Sequence, residues 1–279
     1  MIRRLILGIV IIASTVIPPS AVLAAGDSDR SGVPRRVIDL LAKGDLKKAI
    51  FEMRDAPTCA KTNYLMRNAN RIVLLEMGEK PSRSAIHMTY QNVAIAYHNL
   101  YLFLKTRGVT QEEFAKEADS YYKKARRKGT HMHRAECDVL RAALMAAGGK
   151  VEKARRKFKR IDDMMLRADF ASAEYLAVYH AAVGDLDEAL ASLEKAYALD
   201  PDRTLAWLDV SDDFEGLRDD PRFVAMRASW RAKSGKRDLV LSVPECAEPR
   251  LDMTGTDPFA PIGFSRKAKR QMKARKRKK

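Results

Sequence analysis

The side chains best suited to chemistry sit in HMHRAEC, residues 131 to 137. His133 and Cys137 are four apart, hence on one face of any helix, with His131 just ahead of them. Imidazole and thiolate in that arrangement can hold zinc or copper. A working site needs a further ligand, and the sequence offers no evident one, so the better reading is a surface pair of histidines beside a core cysteine. His98, set among Tyr97 and Tyr101, and His180 read as packing or groove residues. A phosphate-binding Gly-rich loop, a Gly-x-Ser-x-Gly elbow and a His-Glu-x-x-His pair are all missing. The expectation is a non-enzyme, with no catalytic residues, no metal and no cofactor.

The other reactive surface is cationic. The last fifteen residues, SRKAKRQMKARKRKK, carry Arg266, Lys267, Lys269, Arg270, Lys273, Arg275, Lys276, Arg277, Lys278 and Lys279 and no acid. Such a run neutralises phosphates and releases their counterions. Two more basic runs lie inside the chain: Lys123, Lys124, Arg126, Arg127 and Lys128, then Lys150, Lys153, Arg155, Arg156, Lys157, Lys159 and Arg160. A solvated helix face explains them by default. Residues 200 to 220 have the opposite sign, with eight acids against two bases, and could dock the tail or a cationic partner. The formal net charge of +16 is largely a property of the tail.

The N-terminus bears on what the tail can meet. Residues 1 to 24 open with Arg3 and Arg4, run apolar from Leu5 to Ile17, and pass through Pro18 and Pro19 into small residues. This is the layout of a secretory signal, with cleavage expected after Ala24 and an uncleaved membrane anchor as the alternative. The apolar run is short of the roughly 20 residues that span a bilayer. The expected location is the periplasm or cell envelope, where nucleic acid is a disfavoured partner. Cys59, Cys137 and Cys246 are odd in number and allow at most one internal disulfide.

Behind these groups stands a helical pattern. In residues 170 to 201, Leu186, Ala189, Leu190, Leu193, Ala196 and Tyr197 share one face, while Gly184 and Asp185 break the chain between two helices and Pro201 stops the second. Residues 135 to 161 repeat the layout with Gly149 at the turn and Ala154, Phe158 and Ile161 on the face. The two glycines are 35 residues apart.

This period and these positions resemble the tetratricopeptide repeat family, whose repeat has about 34 residues. Ala189, Leu193, Ala196 and Pro201 fit its second helix. Looser matches are Tyr97, Leu100, Tyr101 and Leu104 with Ala118, Tyr122 and Ala125 across an enlarged turn, and Gly44, Ala49 and Met53. A helix over residues 61 to 77 finds no pair, and Asp220 with Pro221 predicts a closing helix over 221 to 232. The resemblance implies an all-α fold, a helical-hairpin α-solenoid over residues 35 to 232 with its clearest repeats at 135–168 and 170–203. A linker, 25–34, precedes it. An irregular extension, 233–264, and the unstructured basic tail, 265–279, follow.

In that family, stacked first helices line a groove that binds protein or peptide. The groove positions carry over to Glu136, Val139, Ala143, Ala146 and Ala147, then Ala171, Glu174, Val178, Ala181 and Ala182. Ala143 and Val178 stand where some members place a carboxylate-clamping Asn. The implied activity is that of an exported, non-catalytic scaffold for an unidentified protein partner. The alternative is a cationic adaptor that meets an anionic polymer or membrane surface through the tail and the basic helices. Equally, the alanines can serve only to let helices pack closely.

Overall fold

Apolar residues at helical spacing, broken at several turns by glycine, produce eleven helices in the computed structural model, which describes residues 32–55, 60–78, 85–161 and 170–233. They are α1 (Arg35–Ala42), α2 (Leu46–Asp55), α3 (Ala60–Glu76), α4 (Ile86–Lys105), α5 (Glu112–Lys128), α6 (His131–Ala147), α7 (Val151–Phe158), α8 (Phe170–Val183), α9 (Leu186–Leu199), α10 (Pro201–Val210) and α11 (Pro221–Lys233). The fold is all-α, with no strand among the described residues. The expected signal peptide, the linker up to residue 31, the C-terminal extension beyond Lys233 and the basic tail lie outside those residues, as do Cys59 and Cys246. No described helix is long and apolar enough to cross a membrane.

Sequence-adjacent helices pack in pairs: α1 with α2, α4 with α5, α6 with α7, and α8 with α9. The last two pairs turn at Gly149 and Gly184, each with φ near +80°. That left-handed backbone is costly for any residue with a Cβ, so glycine sets both turns. Successive pairs are joined by packing of α5 on α6, α6 on α8 and, more lightly, α7 on α8.

The buried faces follow the sequence spacing. On α5 they are Phe114, Ala118, Tyr122 and Ala125, and on α9 Ala189, Leu193 and Ala196. Two apolar clusters result, and α6 contributes to both: Cys137, Leu140 and Leu144 to the first, Val139, Ala142, Ala143 and Ala146 to the second. A helix apolar on most sides belongs in the interior. α4 is likewise buried along most of Val93 to Leu104.

Pro201 does two things. It ends α9, and it is the first residue of α10, whose N-terminus is capped by Asp200 Oδ1 accepting from the Arg203 backbone N–H at 3.1 Å. Pro at that position loses no hydrogen bond. α11 starts in a similar way, with Asp220 Oδ1 accepting from the backbone of Arg222 at 2.8 Å. Tyr197 of α9 stacks on Trp230 of α11, with ring centroids 4.2 Å apart, and donates its hydroxyl to the Trp230 carbonyl.

The helix over 61 to 77 acquires a role that is not local. α3 packs on α2 and α4, its chain neighbours, and also against α10, far along the sequence.

Candidate functional site

The contact between α3 and α10 is made by charge. Lys61 Nζ donates to the Val210 carbonyl and to Asp212 Oδ2, each at 2.6 Å, across about 150 residues of chain. Both side chains are almost fully buried, at 3% and 4% exposed. Arg107 Nη1 reaches the other oxygen, Asp212 Oδ1, at 3.4 Å, and its guanidinium lies 3.8 Å from the centroid of the Phe103 ring. Burial pushes the Lys61 pKa down, and Asp212 holds it up. Arg218 steadies the same segment by donating to the Ser211 carbonyl at 3.3 Å.

This anchored segment faces the row formed by α4, α6 and α8. Between them lies a cavity of about 250 Å³. One wall is small and apolar: Leu102, Ala147, Val178, Ala181 and Ala182. The other is polar and belongs to the anchored segment: Asp212, Asp213, Glu215 and the backbone of Gly216. Thr106, Lys105 and His98 complete the lining. Lys105 donates its ammonium to the Ala147 carbonyl.

His98 is 3% exposed. Its Nδ1 lies 3.2 Å from the Tyr122 hydroxyl, while its buried Nε2 finds no hydrogen-bond partner among the described residues. Burial lowers its pKa to about 4, so the ring is neutral at physiological pH. Two carboxyls nearby move the other way. Burial raises Asp213 to about 6 against the Ser211 hydroxyl that hydrogen-bonds it, and raises Glu174 to about 7 despite the Arg203 guanidinium at 3.3 Å.

The ten positions carried over from the family divide three ways. Ala147, Val178, Ala181 and Ala182 come together on the cavity wall. Val139, Ala143 and Ala146 are buried between helices, and Glu136 is buried where Gln91 Nε2 donates to its carboxylate at 3.3 Å. Glu174 is partly covered by its pair with Arg203, and the Ala171 side chain lies outside the described residues. The 211–217 segment that forms the opposite wall carries no periodic signal. Its signal in the sequence is the Asp212–Asp213 doublet, whose first member needs a buried cation and finds it in Lys61.

The acidic stretch from 200 to 220 is not the free surface that its composition suggests. Asp209 is bound by Arg227 and Arg231, Asp212 by Lys61 and Arg107, Glu215 by Arg218, and Asp220 by Arg222. Its charge is spent mainly on holding α10, α11 and the loop between them. A dock for the basic tail there would have to compete with these pairs.

The basic runs behave differently. Arg126 of α5 and Lys157 of α7 bind the two oxygens of one carboxylate, Asp138, at 2.8 and 2.6 Å, which brings one cation of each run together. Arg127, Lys128, Lys150, Lys153, Arg156, Lys159 and Arg160 are exposed. Cys137 is buried as a core thiol, with its pKa pushed up to about 12 chiefly by burial. Among the described residues no group of three or more His, Cys, Asp or Glu side chains is placed to hold a metal ion.

The chain matches no family model, no curated protein and no solved structure.

Proposed function

We propose that the chain is a non-catalytic scaffold of the tetratricopeptide-repeat kind, exported to the cell envelope, which binds a protein or peptide partner on the face formed by α4, α6 and α8. The observation that carries this reading is the cavity: an apolar wall of small side chains opposite a loop rich in hydrogen-bonding groups. A partner's side chain can enter such a site with its apolar body against Ala147, Ala181 and Ala182 and its polar end toward His98 and Asp213. Repeat arrays bind through a surface of this kind because stacking leaves one row of helices facing inward. The clearest test is crosslinking in the envelope fraction, comparing the wild-type chain with Ala182→Glu. Both alanines at 181 and 182 are only half-buried, so the substitution should leave the circular dichroism spectrum unchanged. The expected result is loss of a specific crosslinked species; persistence of the same species in the folded variant would overturn the reading.

A second reading is favoured by the shared Asp138. The cationic face of α5 and α7, with residues 265 to 279, would make the chain an adaptor for an anionic membrane surface or polymer. In that case partner capture should survive Ala182→Glu, fall steeply with salt, and disappear when residues 265 to 279 are deleted.

A further inference from the structure

Far from the cavity, the first turns of α4 and α6 bring two histidines together. His87 and His133 approach with their Nε2 atoms 3.2 Å apart, and their ring centroids are 4.2 Å apart with the planes at 67°. Several features fix this geometry. His133 Nδ1 lies 2.7 Å from the Thr130 hydroxyl, which orients the ring. Gly129, between α5 and α6, has no side chain because a Cβ there would fall 2.7 Å from His133 Cβ.

Zinc–imidazole bonds are about 2.0–2.1 Å long, and tetrahedral coordination sets neighbouring donors about 109° apart. Two nitrogens separated by 3.2 Å and each about 2.05 Å from a common metal subtend about 103°. A square-planar cis pair, the arrangement suited to copper(II), would bring them to about 2.9 Å. The separation therefore fits zinc better.

We infer that His87 and His133 form a two-imidazole zinc site that clasps the start of α4 to the start of α6, with water completing the coordination shell. The proton bookkeeping is simple. Without metal, one ring donates Nε2–H to the lone pair of the other. With zinc bound, the donating ring shifts its proton to Nδ1, the two rings turn apart so that both Nε2 lone pairs face the metal, and no proton leaves. The Thr130 hydroxyl then accepts from the Nδ1–H of His133, the outer-shell bond that commonly holds a ligating imidazole. With two protein ligands the site is exchangeable, unlike the four-ligand structural zinc of small domains. It is also not the site that HMHRAEC suggests, since His133 turns to α4 and Cys137 is buried in the core.

Calorimetric titration of the full chain, free of any appended histidine tag, with zinc chloride at neutral pH tests this. One zinc should bind per chain. His87→Gln and His133→Gln should each weaken it by about a hundredfold or more, and Thr130→Val by about tenfold. His131→Gln should change nothing. Absence of saturable binding, or binding unchanged in both His→Gln variants, overturns the site. Should either variant fold poorly, side-chain nitrogen NMR of the unaltered chain decides: zinc must shift Nε2 of both His87 and His133, and a shift confined to His131 or His180 overturns the assignment.

Discussion

Glu174 is the residue whose chemistry most affects the molecule. It sits half-buried on α8, accepts from Arg203 at 3.3 Å, and is held at a pKa of about 7 chiefly by burial, with Asp213 adding to the rise. The folded chain therefore binds this proton more tightly than the unfolded chain does. Its contribution to stability is complete below the ordinary carboxylate range and is lost as pH rises through about 7. Asp213, raised to about 6, acts in the same direction over a slightly lower window. Melting curves should thus show greater stability at mildly acidic than at mildly alkaline pH. Glu174→Gln, which keeps an acceptor for Arg203, should flatten that slope and gain on the order of 1 kcal/mol on the alkaline side. A slope unchanged by the substitution would mean that other groups carry it. None of this was legible from Glu174 as a letter in the sequence, because its pKa depends on α10 arriving beside it. His98 is similar: the sequence places it among tyrosines, but only the fold shows one nitrogen satisfied by Tyr122 and the other buried with no hydrogen-bond partner among the described residues.

Among the elements, what could be read in advance was what depends on near neighbours. The face of α9 at Ala189, Leu193 and Ala196 is evident from spacing alone, and these three are fully buried. The turns at Gly149 and Gly184 are equally local. An added Cβ at either glycine meets nothing within 4 Å, so a substitution there tests the backbone alone. Gly149→Ala and Gly184→Ala should each cost about 1–2 kcal/mol by denaturant titration, the penalty for a left-handed L-residue, with no change in helix content. A cost near zero at both would show that the turns relax to another conformation. α10 was harder to see. Pro201 reads naturally as a stop, yet Asp200 followed by Pro201 is also a start signal, and only packing on α9 and α3 decides that both apply. The carried-over groove positions divide for a related reason. Val139, Ala143 and Ala146 are spaced like groove residues, but α6 is covered by neighbours on most sides, so small side chains there serve close helix contact.

At the scale of the whole molecule, a fold whose helices pack mainly on their neighbours along the chain also carries a buried ion pair between distant segments. Lys61 and Asp212 connect α3 to the segment after α10, and that segment forms one wall of the cavity. Helices held only by interfaces with their chain neighbours can loosen locally. A buried ion pair opposes that, because losing one partner leaves the other short of counter-charge in the interior, at a cost of up to about 3–5 kcal/mol, whereas replacing both by apolar groups is often neutral. Lys61→Met should therefore destabilise strongly, and Asp212→Leu likewise, while the double variant should recover much of the loss. Recovery will be incomplete, since the Val210 carbonyl loses the Lys61 ammonium and Arg107 loses the Asp212 carboxylate as well. Hydrogen exchange locates the effect. In Lys61→Met, amide protection should fall first across α10 and residues 211 to 217, with α6 through α9 retaining theirs, since those helices keep their mutual packing. Uniform loss of protection along the chain would instead mean that the ion pair supports the whole fold and that the wall of the cavity cannot open by itself.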